Sequence, residues 1–176
     1  MVDMHVNEYT PGQEKEHVRK HVFLFFMKCS YVLTLPNIYF DLEKMLIQEG
    51  KKVECCEYKH SIYQKQLKIA PKEIVLHHSD VKDLDIGKYD ALFLDFCGTY
   101  NRSTSKILSK ISSNTQVAIT FLLRRERKEH QSVIDINNRI PSYIRLLATF
   151  GIKVTKYITY HKDYHSPMCV FFGTKY

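Results

Sequence analysis

Residues 88–102 read KYDALFLDFCGTYNR, and this stretch sets the architecture of the chain. Tyr89 to Leu94 is apolar except for Asp90 and is bracketed by Gly87 and Gly98. That length and those brackets predict a central strand of a parallel sheet, buried on both faces. Asp95, Phe96, Cys97 and Gly98 then arrive at its carboxyl end. In open α/β sheets ligands bind along that edge, so a carboxylate, a ring and a thiol there mark a candidate site.

Upstream, Glu73 to His77 reads as a strand followed by a loop carrying Asp80. Before it lie a helix over Ile62 to Ala70, stopped by Pro71, and the strand KVECCE, Lys52 to Glu57, which ends on an acid. A further helix has Phe40, Leu42, Met45, Leu46 and Ile47 apolar and is closed by Gly50. The first strand, Tyr31 to Leu35, ends at Pro36-Asn37, and a helix over Glu14 to Cys29 precedes it. Met1 to Gly12 reads as a leader closed by Pro11-Gly12.

Downstream come a helix over Ser103 to Ser112 and the strand TQVAITFL, Thr115 to Leu122. A charged run with Arg124, Arg125, Arg127 and Lys128 follows, then a helix opened by Pro141 and stopped by Gly151. Ile152 to Thr159 and Met168 to Thr174 form a closing strand pair. No repeat or linker interrupts the order, so residues 1–176 are expected to form one domain, with residues 1–30 as leader and first helix and residues 31–176 as sheet core.

Hydrophobic residues make up 44% of the 176, enough for a globular core and far from the disordered class. No apolar run approaches the roughly 18–20 residues of a membrane span, and the polar, acidic start lacks the pattern of a signal peptide. Five cysteines without a CxxC pair predict reduced thiols. Together these features predict a soluble, cytoplasmic protein without membrane contact. The formal net charge of +7 is compatible with an anionic partner, nucleic acid foremost. A lysine-rich solvated surface accounts for it equally well.

Alternating strands and helices predict an α/β fold. Specifically, they predict a Rossmann-like three-layer sandwich around a seven-stranded, mostly parallel sheet whose last strand is antiparallel. With Glu57, Asp80, Asp95 and the LTLPN loop at four strand ends, Tyr31 to Tyr176 resembles the class I S-adenosylmethionine-dependent methyltransferases. The resemblance implies S-adenosylmethionine as cofactor. Glu57, with Tyr58 beside it, would accept the ribose hydroxyls. Asp80 and Val81 would border the adenine, and Asp95 would face the reacting centre. Thr34, Leu35, Pro36 and Asn37 would lie under the methionine half. The departure is in that loop, which carries no glycine and in which Pro36 removes a backbone donor.

Asp95-Phe96-Cys97-Gly98 is similar to the acid-aromatic motifs with which amino-methylating members of the family hold a target nitrogen. The catalytic pair is then Asp95, orienting the attacking nitrogen, and Phe96, stacking the base. Cys97 as a nucleophile, as in the 5-methylcytosine enzymes, is the alternative; its spacing from Asp95 differs and it needs a cationic neighbour. Asp95 as a helix cap or loop anchor is the bland reading. Arg102, Arg124, Arg125, Arg127 and Lys128 open on the same sheet edge and would contact phosphates, with Tyr100 extending that surface. His17 with His21, and His161 with His165 and Cys169, lack a complete ligand set, so no metal is assigned.

The resemblance implies a methyltransferase acting on an amino group of RNA or DNA. The chain has no room for a separate target-recognition domain, so a partner subunit, a homodimer or a small substrate is implied. The rival is a catalytically inactive subunit of the same fold that binds nucleic acid or a partner protein. Other chemistry on a nucleotide-binding fold stays open, because fold does not fix function.

Overall fold

The computed structural model describes residues 11–96, 98–123, 133–161 and 167–176. Cys97, His165 and the run holding Arg124, Arg125, Arg127 and Lys128 lie outside the described residues.

Seven strands form one sheet: β1 (Tyr31–Thr34), β2 (Lys52–Glu57), β3 (Val75–His78), β4 (Ala91–Asp95), β5 (Gln116–Leu122), β6 (Ile152–His161) and β7 (Pro167–Lys175). Their spatial order is β3-β2-β1-β4-β5-β7-β6. The pairs from β3 through β5 are parallel, and β7 runs antiparallel to both β5 and β6. The chain therefore reverses direction only in its last strand, as the closing hairpin predicts. Strand order turns between β1 and β4, which opens a crevice at their carboxyl ends.

Among the described residues five α-helices accompany the sheet: α1 (Pro11–Phe25), α2 (Asp41–Gln48), α3 (His60–Leu67), α4 (Arg102–Ser109) and α5 (Val133–Thr149). Alternation along the strands builds two cores. Ala91 and Phe93 of β4 face one way with Val32, Val53, Val22, Phe26 and Leu46. Leu92 and Leu94 face the other way with Leu33, Ile107, Leu108, Val117, Ile119, Phe121 and Leu147. Helices thus cover both faces and make three layers, because a strand apolar at every position must be buried on both sides.

Several element ends differ from the sequence expectation. Asp90 precedes β4 instead of interrupting it, and its carboxylate accepts the Ser30 and Tyr31 amides at 3.1 Å each, tying β4 to the start of β1. α1 already includes Pro11 and Gly12, ahead of the expected start at Glu14, and the rest of the expected leader lies outside the described residues. Pro141 lies inside α5 rather than at its start. Ile140, just upstream, packs on the core, and the helix runs from Val133 through Pro141 despite the lost backbone bond.

Phe40, just before α2, has φ 56° and ψ 40°, the left-handed region that a bulky residue rarely adopts. Its ring is fully buried, and that burial offsets a backbone cost of about 1–2 kcal/mol. Gly50 (φ 71°) and Gly151 (φ 69°) end α2 and α5 in the same region without that penalty.

Candidate functional site

Two adjoining cavities, of about 440 and 280 Å³, run along the carboxyl edge of the parallel strands. Leu35, Cys56, Tyr58, Asp95 and Phe96 line both. The larger adds Pro36, Asn37, Glu57 and, from α1, Lys15 and Arg19; the smaller adds Asp80, Val81 and Asn101. Residues 35–37, 57–58, 80–81 and 95–96 are distant in sequence and meet because parallel strands all end at one edge.

The acids are held in different ways. Glu57 closes β2 and turns back to accept the Lys59 amide at 2.7 Å. Asp80 caps the short 3-10 helix Val81–Asp83, accepting the Lys82 amide at 3.1 Å and the Lys82 ammonium at 2.9 Å. Burial pushes the Asp80 carboxyl up, but these Lys82 contacts outweigh it and leave it below its ordinary value. Asp95 ends β4 and accepts a hydrogen bond from the Thr120 hydroxyl on β5. Phe96 stacks on Phe121 with ring centroids 6.1 Å apart, which fixes it at the cavity wall.

The glycine-free loop after β1 is organised by side chains. Asn37 donates to the Asp41 carboxylate at 2.9 Å and accepts the Tyr39 amide at 2.8 Å. Arg19 of α1 pairs with the same Asp41 at 2.9 Å. Gln66 of α3 donates to the Pro36 carbonyl at 3.2 Å, while its Oε1 is buried with no hydrogen-bond partner among the described residues.

Not every expected residue lines the crevice. Thr34 lies beneath it, fully buried, with its hydroxyl 3.3 Å from the Cys55 thiol. Period-two alternation turns its side chain into the core while Leu35 reaches the cavity. Arg102 is exposed on the first turn of α4 and borders neither cavity. The helical spacing of His17 and His21 is correct, since their Nε2 atoms are 3.1 Å apart, but no group of three metal-ligating side chains forms among the described residues. Cys29, Cys55, Cys56 and Cys169 are buried free thiols. Burial pushes Cys29 up to about 11 and Cys56 up to about 12, with nearby acids adding to both, so neither is a nucleophile at neutral pH.

Sequence reasoning missed three residues. Asn101 caps α4, accepting the Ser103 and Thr104 amides at 2.9 and 3.1 Å, and the N-R-S-T pattern signals such a cap. Arg19 reaches the site only because α1 packs on α2. Glu43 of α2 lines the larger cavity yet is only 2% exposed; an acid between apolar helix positions reads as solvent-facing, so nothing local reveals it.

No family model matches the sequence, and no curated protein matches it. Solved structures do match the fold. A SAM-dependent methyltransferase from Aquifex aeolicus aligns over 96% of this chain and 100% of its own, at 14% identity and a TM-score of 0.64. The N-methyltransferase NodS from Bradyrhizobium japonicum, in complex with S-adenosylhomocysteine, aligns over 96% of this chain and 90% of its own, at 7% identity and a TM-score of 0.64. The fibrillarin/Nop5p complex supplies a third, covering 84% of this chain and 73% of its own at 13% identity and a TM-score of 0.62. At such identities the likeness is one of fold, and the chain has the α/β fold of the S-adenosylmethionine-dependent methyltransferases.

Proposed function

We propose that this chain is an S-adenosylmethionine-dependent methyltransferase that acts on an amino group of a nucleic acid. The observation that carries this reading is the convergence of Glu57, Asp80 and Asp95, from three strand ends, on two adjoining cavities at the switch point of the sheet. The cavity volumes, about 440 and 280 Å³, suit a nucleoside with an amino-acid tail, and charged and amide side chains, Asn37, Glu57, Asp80 and Asp95 among them, stand beside apolar walls.

Glu57 would accept the ribose hydroxyls, Asp80 and Val81 would border the adenine, and Leu35, Pro36 and Asn37 would lie against the methionine half. When bound, the cofactor supplies an electrophilic methyl group on a sulfonium. Asp95 would hold the acceptor nitrogen with its lone pair toward that carbon and take up the proton the nitrogen loses. Phe96 would border the acceptor ring. The +7 charge and the exposed Arg102 support a polyanionic acceptor.

One observation favours a second reading, a non-catalytic subunit. The β1–α2 loop has no glycine, contains Pro36, and holds Phe40 in the left-handed region. Calorimetry with S-adenosylmethionine and S-adenosylhomocysteine separates the two. The enzyme reading expects binding that Glu57→Ala abolishes. Absence of heat at millimolar cofactor leaves only the subunit.

A further inference from the structure

Glu43 is the third residue of α2 and is 2% exposed. An ionisable side chain is almost never so buried unless something pairs with it. Its neighbours do not supply a committed counter-charge. From β1, the Thr34 hydroxyl lies close enough to favour its ionised form, as does its own backbone amide, and from β2 the Cys55 thiol lies close by. Arg19 of α1 is near enough to favour its ionised form, but that guanidinium is paired with Asp41 of α2 at 2.9 Å. Among the described residues Glu43 forms no ion pair. Burial accordingly pushes its carboxyl up.

The position of this acid relative to the cleft gives it a purpose. Glu43 lines the larger cavity together with Pro36, Asn37 and Glu57. The sheet runs β3-β2-β1-β4, so Asp80, Glu57 and the Thr34–Glu43 pair stand in line at successive strand ends. An adenosine lying on Asp80 and Glu57 brings its amino-acid tail to β1. Pro36 has no N–H, so the loop there offers one backbone donor fewer to the tail's carboxylate. The complementary contact available on the far side of the loop is to the tail's cation.

We propose that Glu43 is the counter-charge for the α-ammonium group of a bound S-adenosyl cofactor, an assignment that rests on the methyltransferase reading above. The buried acid is then incomplete without ligand, and the ligand's cation supplies what Arg19, committed to Asp41, does not. A residue chosen for stability alone would be apolar here, since an unpaired buried charge costs more than a hydrophobic isostere. Perturbed acids of this kind gather at functional clefts.

Calorimetric titration of wild type and Glu43→Gln with S-adenosylhomocysteine and with 5′-methylthioadenosine, which lacks the amino-acid tail, tests the assignment. Glu43→Gln weakens S-adenosylhomocysteine roughly 10- to 100-fold, the value of a hydrogen bond to a charged group. It changes 5′-methylthioadenosine by less than about twofold, because an interaction that is never made cannot be lost. Pairing with the ammonium favours the ionised form of Glu43, whose carboxyl burial pushes up, so a proton held by that carboxyl is released on binding S-adenosylhomocysteine and the affinity climbs as pH rises through its raised range. Titrations in two buffers of different ionisation enthalpy read that proton, and Glu43→Gln removes it. Glu43→Asp, which keeps the charge on a shorter stem, retains the proton release with an intermediate affinity.

Equal weakening of both ligands assigns Glu43 a structural role and overturns the proposal while the cofactor reading stands. Unchanged S-adenosylhomocysteine affinity overturns it as well. Loss of S-adenosylmethionine but not S-adenosylhomocysteine affinity moves the contact to the sulfonium and overturns it too. If wild type binds neither nucleoside, the cofactor reading fails and the assignment falls with it.

Discussion

The Thr120 hydroxyl donates a hydrogen bond to the Asp95 carboxylate across the β4–β5 pair, where the two residues are register partners. Thr120 is fully buried, whereas Asp95 sits at the cavity edge. The parallel neighbour strand therefore sets the direction of an acid that lines both cavities. A strand end is rigid, and a carboxylate steered from beneath loses little entropy when an acceptor docks.

Thr120→Val keeps the shape and removes that steering. With tritiated S-adenosylmethionine and total RNA as acceptor, methyl transfer is expected to slow about fivefold, near the value of one hydrogen bond of about 1 kcal/mol. Asp95→Ala is expected to cost about 10²–10⁴ in rate while S-adenosylhomocysteine still binds. An Asp95→Ala protein as active as wild type refutes the role given to Asp95.

Glu54 gathers four side-chain partners in a polar network away from the crevice. It accepts from Tyr31, from Tyr89 at 2.6 Å, and from Lys88 at 3.3 Å, with His77 Nε2 at 2.8 Å. Burial pushes its carboxyl up, but the hydrogen bonds from Tyr31, Tyr89, His77 and Lys88 prevail and hold it down at about 2. A carboxyl depressed by folding contributes stability that is present above its unfolded value and lost as pH falls through the folded value. Urea midpoints of wild type are therefore expected to fall between pH 4.5 and about 2. Glu54→Gln flattens that window and lowers stability at neutral pH by about 1–2 kcal/mol, because it removes the charge of a network whose Lys88 and His77 partners are part-exposed and screened. A variant with the wild-type acid profile contradicts this account.

Gly173 tests the packing of the reversed strand. It faces Val154 on β6 beside a register irregularity, and a Cβ there would stand 2.6 Å from the Lys153 carbonyl oxygen. That oxygen is backbone and cannot swing away. Gly173→Ala is expected to cost about 1–3 kcal/mol, read as a lower thermal midpoint. An unchanged midpoint means that β6 shifts freely, contrary to its long pairing with β7.

Removing a buried acid that lacks a counter-charge has the opposite sign. Folding raises the Glu43 carboxyl through burial, so its contribution is full at low pH and is lost as pH rises. Ligand-free Glu43→Gln should therefore melt at or above the wild-type temperature at pH 8 and match it less favourably in acid. Melting below wild type at pH 8 argues that Glu43 serves stability.

If a polyanion is the acceptor, the binding constant for a single-stranded RNA must fall with salt, with a logarithmic slope of about −0.7 per phosphate neutralised. Arg102→Ala is expected to lower the magnitude of that slope by about one such unit. A constant that ignores salt argues for a small or neutral acceptor.

The order of strands and helices, the reversal at the end and the acids at three strand ends were legible in the sequence. Each rests on local patterns: the acid that ends KVECCE, the apolar run before Asp95, a glycine after α2. Helix ends were read less well. Pro141 looks like a start, yet core contacts of α5 outweigh one missing backbone bond.

Only tertiary structure decided that β7 inserts between β5 and β6, that Thr120 aims Asp95, that Thr34 is buried below the crevice, and that the buried Glu43 lines it. Hydrophobic periodicity reports which face of an element is apolar. It carries no information on which polar residue another segment, far off in sequence, will cover, because that depends on contacts made only when the layers close.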